Sequence, residues 1–334
     1  MERYMFNQYL DLLGYKDRPL FLDKYLTVPS LVRLKQVGYF CGMDYASKDI
    51  YDFKEKISRY DHSLTVALIT WMFSKNKKAT LAGLFHDIST PCFSHVIDYM
   101  NRDYEKQEST EEKTEEIIRN DKYLITCLSE DGIELEDIID FKKYSIVDND
   151  RPKLCADRLD GVILTGLYWT KNINISDIKK IIDNIIVIIN EDLEEEIAFN
   201  DIDIASLVID NSILIDKYCH SKEDNYMMEL LAKITKRIIE LNIITYDDLF
   251  ILNEDELFNI FNNCTDIEIK DNLRLFKNIK IDGIDFNHCE KTVDIIQSNK
   301  YNNPLEFIIP SNIDYYNEYE NMQSIPVIVF DAFG

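Results

Sequence analysis

Two apolar runs in the first third of the chain give the clearest pattern of hydrophobic and polar positions. HSLTVALITWMF at 62–73 is apolar almost all round, and ATLAGLFHDI at 79–88 is similar. A helix that is hydrophobic on every side is buried in a larger core. Pro91 follows the second run and cannot continue a helix. The pattern therefore predicts two buried helices joined by a short polar connection.

Proline positions and apolar residues spaced three and four apart predict further helices. Pro29 and Pro152 stand where the first turn of a helix tolerates proline. Segment 92–100 predicts a helix that puts His95 and Asp98 on one face. Beyond residue 171 the Ile-rich amphipathic segments predicted as helices are 176–197, 203–219, 224–241 and 255–263. The tail at 325–330, IPVIVF, is β-prone.

These elements together predict an all-α fold. Nine glycines in 334 residues leave little material for tight hairpins. The chain has no Pro-, Gly- or Ser-rich linker, which suits one large domain or a domain with a packed extension. We therefore predict a metal-binding helical core at residues 1–170. A helical extension at 171–334 is expected to pack on that core and to end in a short β-prone arm.

The net charge of −24 restricts the class of partner. Binding along a nucleic acid requires clustered Lys and Arg, so nucleic acid is disfavoured. A small anionic ligand stays compatible, because a bound metal reverses the field inside one cleft. The seven scattered cysteines form no CxxC pair, which is typical of reduced thiols. Because no apolar run reaches membrane-spanning length, a cytoplasmic protein with no membrane partner is expected.

Histidines and aspartates cluster at the ends of the two apolar runs. His62 opens the first run and His86-Asp87 closes the second, so antiparallel packing would bring the three side chains together. Asp157 would complete the set from a third helix. Two imidazoles and two carboxylates suit borderline or hard divalent ions, here manganese, iron, cobalt, zinc, nickel or magnesium. His95, outside this set, could protonate a leaving oxygen or orient water, together with Asp98.

A lone His-Asp pair also has a purely structural interpretation. A single histidine on an apolar helix is usually a core residue whose ring nitrogens are hydrogen-bonded. The order H…HD…D favours a metal site over that alternative, because the HD pair is at a helix end between apolar runs and the final Asp follows a further helical stretch. Such a metal activates water and polarises a phosphoryl oxygen, which phosphoester hydrolysis requires.

Three colinear motifs resemble the HD-domain phosphohydrolases, and within them the deoxynucleoside triphosphate triphosphohydrolases. The motifs are SRYDHSLTVA at 58–67, LAGLFHDISTPCFSHVID at 81–98 and LCADRLDG at 154–161. The likeness runs from about residue 25 to 265, since IDKYCHSKEDNYMMELLAKI at 215–234 is similar to that family's helical extension. The four-ligand pattern is specific to the superfamily, whereas the triphosphohydrolase branch rests on softer matches.

The resemblance implies a role for each matching residue. It implies metal ligation by His62, His86, Asp87 and Asp157. It implies catalytic roles for His95 and Asp98 near the scissile phosphate, and for Asp87 through the metal. It further implies that Arg59 lies against a nucleotide, that Arg158 faces phosphate and that Tyr218 lies near the sugar and phosphates. The alternatives are an ion pair for each arginine and a core aromatic for Tyr218.

Departures from the family pattern concern the substrate more than the metal. Thr90 stands where a second histidine after the HD pair is common, and Gln107 precedes Glu108 where a His-Glu pair is usual. Asp210 replaces a phosphate-binding arginine. A sugar-reading glutamine is expected at Tyr39 if the alignment has no gap, and Gln36 matches it only if the register shifts. Loss of a cation weakens the match to a triphosphate.

The sequence thus predicts a metal-dependent phosphohydrolase that cleaves a phosphoester or phosphoanhydride of a nucleotide by metal-activated water. A deoxynucleoside triphosphate is the first expectation for the substrate. Two alternatives stay open: a phosphomonoesterase or phosphodiesterase of the same superfamily, and a nucleotide- or metal-binding regulatory protein without turnover. A symmetric homo-oligomer is the default expectation for assembly.

Overall fold

The computed structural model describes residues 3–101, 111–150, 153–190, 192–280 and 325–326. Within these ranges the chain is predominantly helical, which confirms the predicted fold class. The helices are α1 (Tyr4–Leu12), α2 (Leu22–Tyr25), α3 (Pro29–Arg33), α4 (Arg59–Ser74), α5 (Lys77–Phe85), α6 (Val96–Asn101), α7 (Thr114–Asn120), α8 (Lys122–Asp131), α9 (Glu136–Ile139), α10 (Ala156–Tyr168), α11 (Ile175–Asn184), α12 (Ile202–Cys219), α13 (Lys222–Glu240), α14 (Glu254–Asn263) and α15 (Ile267–Asn278). The strands are β1 (Ile185–Ile189), β2 (Glu195–Phe199) and β3 (Ile325–Pro326).

The two apolar runs form the paired helices α4 and α5. A left-handed Lys75 ends α4, and the side chain of Asn76 caps α5, so only two residues connect the helices. The start of α4 lies beside the end of α5, since the rings of His62 and His86 are 5.2 Å apart. The pair is therefore antiparallel, as the sequence predicts.

The buried apolar side chains form two clusters. The first surrounds α4 and α5 and includes residues of α1, α10, α11 and α12. The second combines residues 41–51 and α6 with α13, α14 and α15. Each cluster draws on residues from both sides of position 170, because the C-terminal helices pack on the N-terminal ones. The domain boundary at 170 stays a prediction.

The sequence predicts one helix over 176–197, and this prediction is wrong. The structure has a helix followed by a β-hairpin in this region. Helix α11 ends at Asn184, and β1 pairs antiparallel with β2 in a register that sets Ile185 opposite Phe199. β-Branched IIVII favours a strand, and a short apolar run cannot be assigned to helix or strand by periodicity alone. In the β-prone tail, Ile325–Pro326 pairs with β2 as β3, and residues 327–330 lie outside the described ranges.

Smaller differences concern where helices start and which ones exist. Helix α10 begins at Ala156 rather than near Pro152, which lies outside the described residues. The sequence does not predict α1, α2, α8, α9 or α15. No helix in the described ranges is long and apolar enough to span a bilayer.

Candidate metal centre

The four predicted ligands lie at the ends of three helices in the first cluster. His62 is in the first turn of α4, whose start is fixed by a side-chain capping box. His86 is the residue at which α5 ends, and Asp87 follows it. Asp157 is in the first turn of α10. The side chains meet because α4 packs against both α5 and α10.

The distances among these side chains fit a shared divalent ion. The ligand atoms of His62, His86 and Asp87 all lie within 4.8 Å of one another. Oδ1 of Asp157 is 2.8 Å from Nε2 of His62 and 3.3 Å from Nε2 of His86. The Asp87 oxygens lie 3.9 Å and 3.8 Å from the same two nitrogens. Atoms that share one ion at about 2.1 Å lie roughly 3 Å apart, so the four side chains could hold one metal.

A buried carboxylate orients the first histidine. Nδ1 of His62 is 2.7 Å from Oδ2 of Asp160. Tyr9 donates to the other Asp160 oxygen at 2.6 Å, and Thr65 donates to Oδ2 at 2.7 Å. A carboxylate on Nδ1 leaves Nε2 to the metal and increases the basicity of the ligand. Sequence reasoning gave Asp160 no role, although its spacing of three from Asp157 puts both on one face of α10.

The second histidine is oriented by the backbone. Nδ1 of His86 lies 2.7 Å from the carbonyl oxygen of Gly83, which accepts its proton. Nε2 of His86 is buried and, although close to Asp157, is not aligned for a hydrogen bond. A buried nitrogen without a hydrogen-bond partner, next to the carboxylates of Asp87 and Asp157, is what a metal ligand requires.

The charges at the centre interact strongly. Burial opposes the charged form of His62, but hydrogen bonds with Asp157 and Asp160 raise its pKa to about 10. Burial likewise opposes charging of His86, and the charges of Asp87 and Asp157 raise its pKa to about 9. Burial would raise the pKa of Asp87, yet the neighbouring Arg59 and the two histidines lower it to about 2. Without a metal, the imidazolium protons therefore balance the carboxylates.

Arg59 lies at the edge of the centre rather than in a surface ion pair. Its Nη1 donates to Oδ2 of Asp87 at 3.0 Å, and its Nε donates to Ser94 Oγ at 3.1 Å. The guanidinium also lies over the ring of Tyr39, 5.1 Å from the centroid. Nη2 is buried and has no hydrogen-bond partner. One donor of a buried cation beside the metal ligands thus remains available to an anion.

A turn before α6 positions the predicted acid–base pair. Nδ1 of His95 lies 3.0 Å from Oδ2 of Asp98, and Oδ1 of Asp98 is buried without a partner. Phe93 and Ser94 precede them with φ of 66° and 46°, an unfavourable conformation for residues with a side chain. Residues with strained backbone conformations are common at functional sites. The same turn supplies Ser94 to Arg59, so it joins the pair to the metal centre.

Arg158 is engaged by a neighbouring loop. Its Nε donates to the Lys153 carbonyl at 2.7 Å, and Nη1 donates to Asp148 Oδ1 at 3.2 Å. Nη2 donates to the carbonyl of Asn149 at 2.6 Å and to its side chain. All three guanidinium nitrogens thus donate hydrogen bonds within the protein. Arg158 therefore forms an ion pair with Asp148, as the alternative interpretation expects, but the arginine is buried.

Tyr218 lies near the end of α12, at the far end of an aromatic series. Its ring packs edge-on against Trp169, with centroids 5.7 Å apart. Trp169 contacts Phe40, and Phe40 contacts Tyr39, whose ring is 5.1 Å from that of His62. Tyr218 is 41% exposed, so it is not a buried core residue.

The positions that depart from the family pattern differ in their surroundings. Thr90 is buried, and its Oγ1 has no hydrogen-bond partner. Asp210 is exposed on α12. Gln107 and Glu108 lie outside the described residues.

Comparison with known proteins places the segment that holds this centre in a family. Residues 59–162, from the start of α4 into α10, match the family model of the HD domain. The match covers about a third of the chain and includes all four predicted ligands.

Individual relatives are distant. The uncharacterized protein YdhJ of Bacillus subtilis is 28% identical over 135 residues, which are 40% of this chain and 41% of YdhJ. The chain thus spans less than half the length of that relative. A hypothetical protein from Aquifex aeolicus superposes with a TM-score of 0.51 at 17% identity, over 74% of this chain and 68% of that one. A phosphohydrolase from Bacteroides thetaiotaomicron gives 0.50 at 15% identity, over 75% and 71%. These likenesses show the fold alone.

Proposed function

We propose that the chain is a metal-dependent phosphohydrolase that cleaves a phosphoester or phosphoanhydride of a nucleotide, with a deoxynucleoside triphosphate as first candidate. The observation that carries the proposal is the convergence of two imidazoles and two carboxylates at the buried ends of three helices. The phosphohydrolase from Bacteroides thetaiotaomicron, which shares the fold, supports the reaction class.

His62, His86, Asp87 and Asp157 would hold the metal. A divalent ion held there would supply Lewis acidity toward a phosphoryl oxygen and would activate water at neutral pH. Asp160 orients His62, and the Gly83 carbonyl orients His86, so the ligand atoms are positioned before an ion arrives.

The remaining groups of the centre suit a phosphorylated substrate. Arg59 presents its unpartnered Nη2 as a donor to a phosphate oxygen. His95, whose Nδ1 lies 3.0 Å from Asp98, would give a proton to the leaving oxygen. The nucleotide part of the proposal rests on the resemblance of the three motifs and on Tyr39 and Tyr218 as aromatic surfaces for a sugar or base.

Arg158 favours a second candidate for the substrate. A triphosphate chain calls for several cations, and the Arg158 guanidinium is occupied by the protein itself. A phosphomonoester or phosphodiester needs fewer of them. The second candidate is therefore a phosphomonoesterase or phosphodiesterase built on the same metal centre.

A nucleotide and phosphoester panel with added manganese, analysed by chromatography of the products, tests the proposal. Release of triphosphate supports the first candidate, and release of orthophosphate from monoesters or cleavage of diesters supports the second. Asp87→Ala and His86→Ala should abolish both metal content and turnover. Asp271→Asn, which changes an exposed carboxylate on α15, is the matched control and should keep both. Absence of turnover on every substrate by metal-loaded protein would leave only a binding function.

A further inference from the structure

A second group of carboxylates lies outside the metal centre, where the first turn of α14 meets the segment 38–44. Glu254 is completely buried, and neither of its carboxylate oxygens has a hydrogen-bond partner. Oδ2 of Asp44 is also buried without a partner. Buried ionisable oxygens without partners are costly, so each requires an explanation.

The three orphaned oxygens converge on Gly38. A Cβ atom built on Gly38 would lie 2.9 Å from Oε2 and 3.3 Å from Oε1 of Glu254, and 3.1 Å from Oδ2 of Asp44. Any side chain at this position would collide with the carboxylates. Glycine at this position therefore lets the three carboxylate oxygens approach the backbone closely.

No side chain among the described residues donates a hydrogen bond to these oxygens. Asn253 and Glu256 already cap α14 reciprocally, so Glu254 is not needed as a cap. Lys56 donates to the Tyr45 hydroxyl at 3.0 Å, and Lys48 donates to the backbone carbonyl of Asp44 at 3.3 Å. Among the residues the structure describes, neither lysine forms an ion pair with Asp44 or Glu254.

We propose that Asp44 and Glu254 bind a hard divalent cation of the calcium or magnesium class, at a site distinct from the HD metal centre. Carboxylate oxygens are the ligands such cations prefer, and calcium accepts a bidentate glutamate in irregular geometry. A cavity of about 450 Å³ lined by Asp44, Lys48 and Lys56 adjoins the site. Water can reach the cation through it and complete the coordination.

The electrostatics of the pair suit a divalent cation. Burial, and after it the charge of Asp44, raise the pKa of Glu254 to about 8, although the nearby Lys56 opposes the shift. Burial also raises the pKa of Asp44, to about 6. The backbone amides of Gly38 and Phe93 favour the charged form of Glu254 only in part. A divalent cation would neutralise both carboxylates at once.

A cation at this site would also stabilise one edge of the metal centre. Gly38 pairs with Ser58 in an isolated bridge, and the flanking backbone bonds join Tyr39 to Ile57 and Arg59 to Val37. A cation held beside Gly38 would thus fix the segment that carries Tyr39 against Arg59.

Calcium titration of chelator-treated protein tests the proposal, by isothermal calorimetry and by thermal unfolding with and without millimolar calcium. Wild type should bind about one calcium ion at this site and should melt at a higher temperature with calcium. Asp44→Asn and Glu254→Gln should each lose that binding and that shift. Asp49→Asn, an exposed carboxylate in the same segment, is the matched control and should keep both.

The Asp157→Asn variant separates the two sites, because calcium binding at Asp44 and Glu254 should survive loss of the HD centre. Glu254→Gln is isosteric and uncharged, so its calcium-free form should melt no lower than wild type. The proposal is overturned if wild type shows no response to calcium or magnesium, or if only Asp157→Asn abolishes the response. An equal calcium response in all variants would also overturn the proposal. If wild type does not respond to calcium and Glu254→Gln melts at a higher temperature than wild type without calcium, the two residues form a protonated carboxyl pair and the proposal is wrong.

Discussion

Binding of a divalent metal at the HD centre is expected to release about two protons per ion near pH 7.5. Metal ligation requires a free lone pair on Nε2 of each imidazole. In the metal-free protein the pKa of His62 is raised to about 10 and that of His86 to about 9, so both are charged at this pH. The carboxylates contribute none, since the pKa of Asp87 is lowered to about 2 and that of Asp157 is lowered well below its usual value.

The same proton count fixes the pH dependence of metal affinity. Each released proton changes the apparent binding constant about tenfold per pH unit, so two protons give about 100-fold per unit. Because both histidine pKa values are raised, affinity should increase with pH from about 6.5 to about 8.5. The slope should then fall as pH passes the pKa of His86 and vanish above that of His62.

Calorimetry in buffers of different ionisation enthalpy measures the protons directly. His220→Ala, which removes a histidine bonded to the backbone of α12, should leave the count unchanged. Release of no protons at pH 7.5, with full metal binding, would mean that both imidazoles are already neutral. The argument that their protons balance the carboxylates would then be wrong.

Three further substitutions separate the roles of the surrounding residues. His95→Ala should keep the metal and lower the rate by roughly 10²-fold or more, measured as kcat beside metal content, and equal loss of metal would make His95 a ligand. Asp160→Asn should weaken metal affinity by about 10- to 100-fold because His62 loses its carboxylate partner, and unchanged affinity in a metal titration would contradict that role. Arg158→Met should lower the denaturation midpoint while KM stays near the wild-type value; a large KM increase at unchanged stability would instead place Arg158 on the substrate.

The local part of this structure could be predicted from the residues alone. The paired helices follow from two apolar runs with a polar break, and the positions of His62 and His86-Asp87 follow from the helix ends. Helical periodicity and helix capping act over a few residues, so short segments carry them.

Only the tertiary structure determined which distant groups became partners. In the motif DRLD at 157–160, it directs Asp160 to His62 and Arg158 to the loop of Asp148 and Asn149. It also makes a hairpin of an Ile-rich run that periodicity assigns to a helix, because β1 finds a partner in β2.

Asp44 and Glu254 show most clearly that the sequence alone does not reveal which distant residues become neighbours. The two residues are far apart in the sequence, and each alone reads as an ordinary acidic side chain in an acidic chain. Burial and proximity change their chemistry, since a carboxylate removed from water needs a proton, a donor or a cation. The sequence by itself determined the ligand types and the helices that carry them, whereas the packing of those helices decided which charges are buried together.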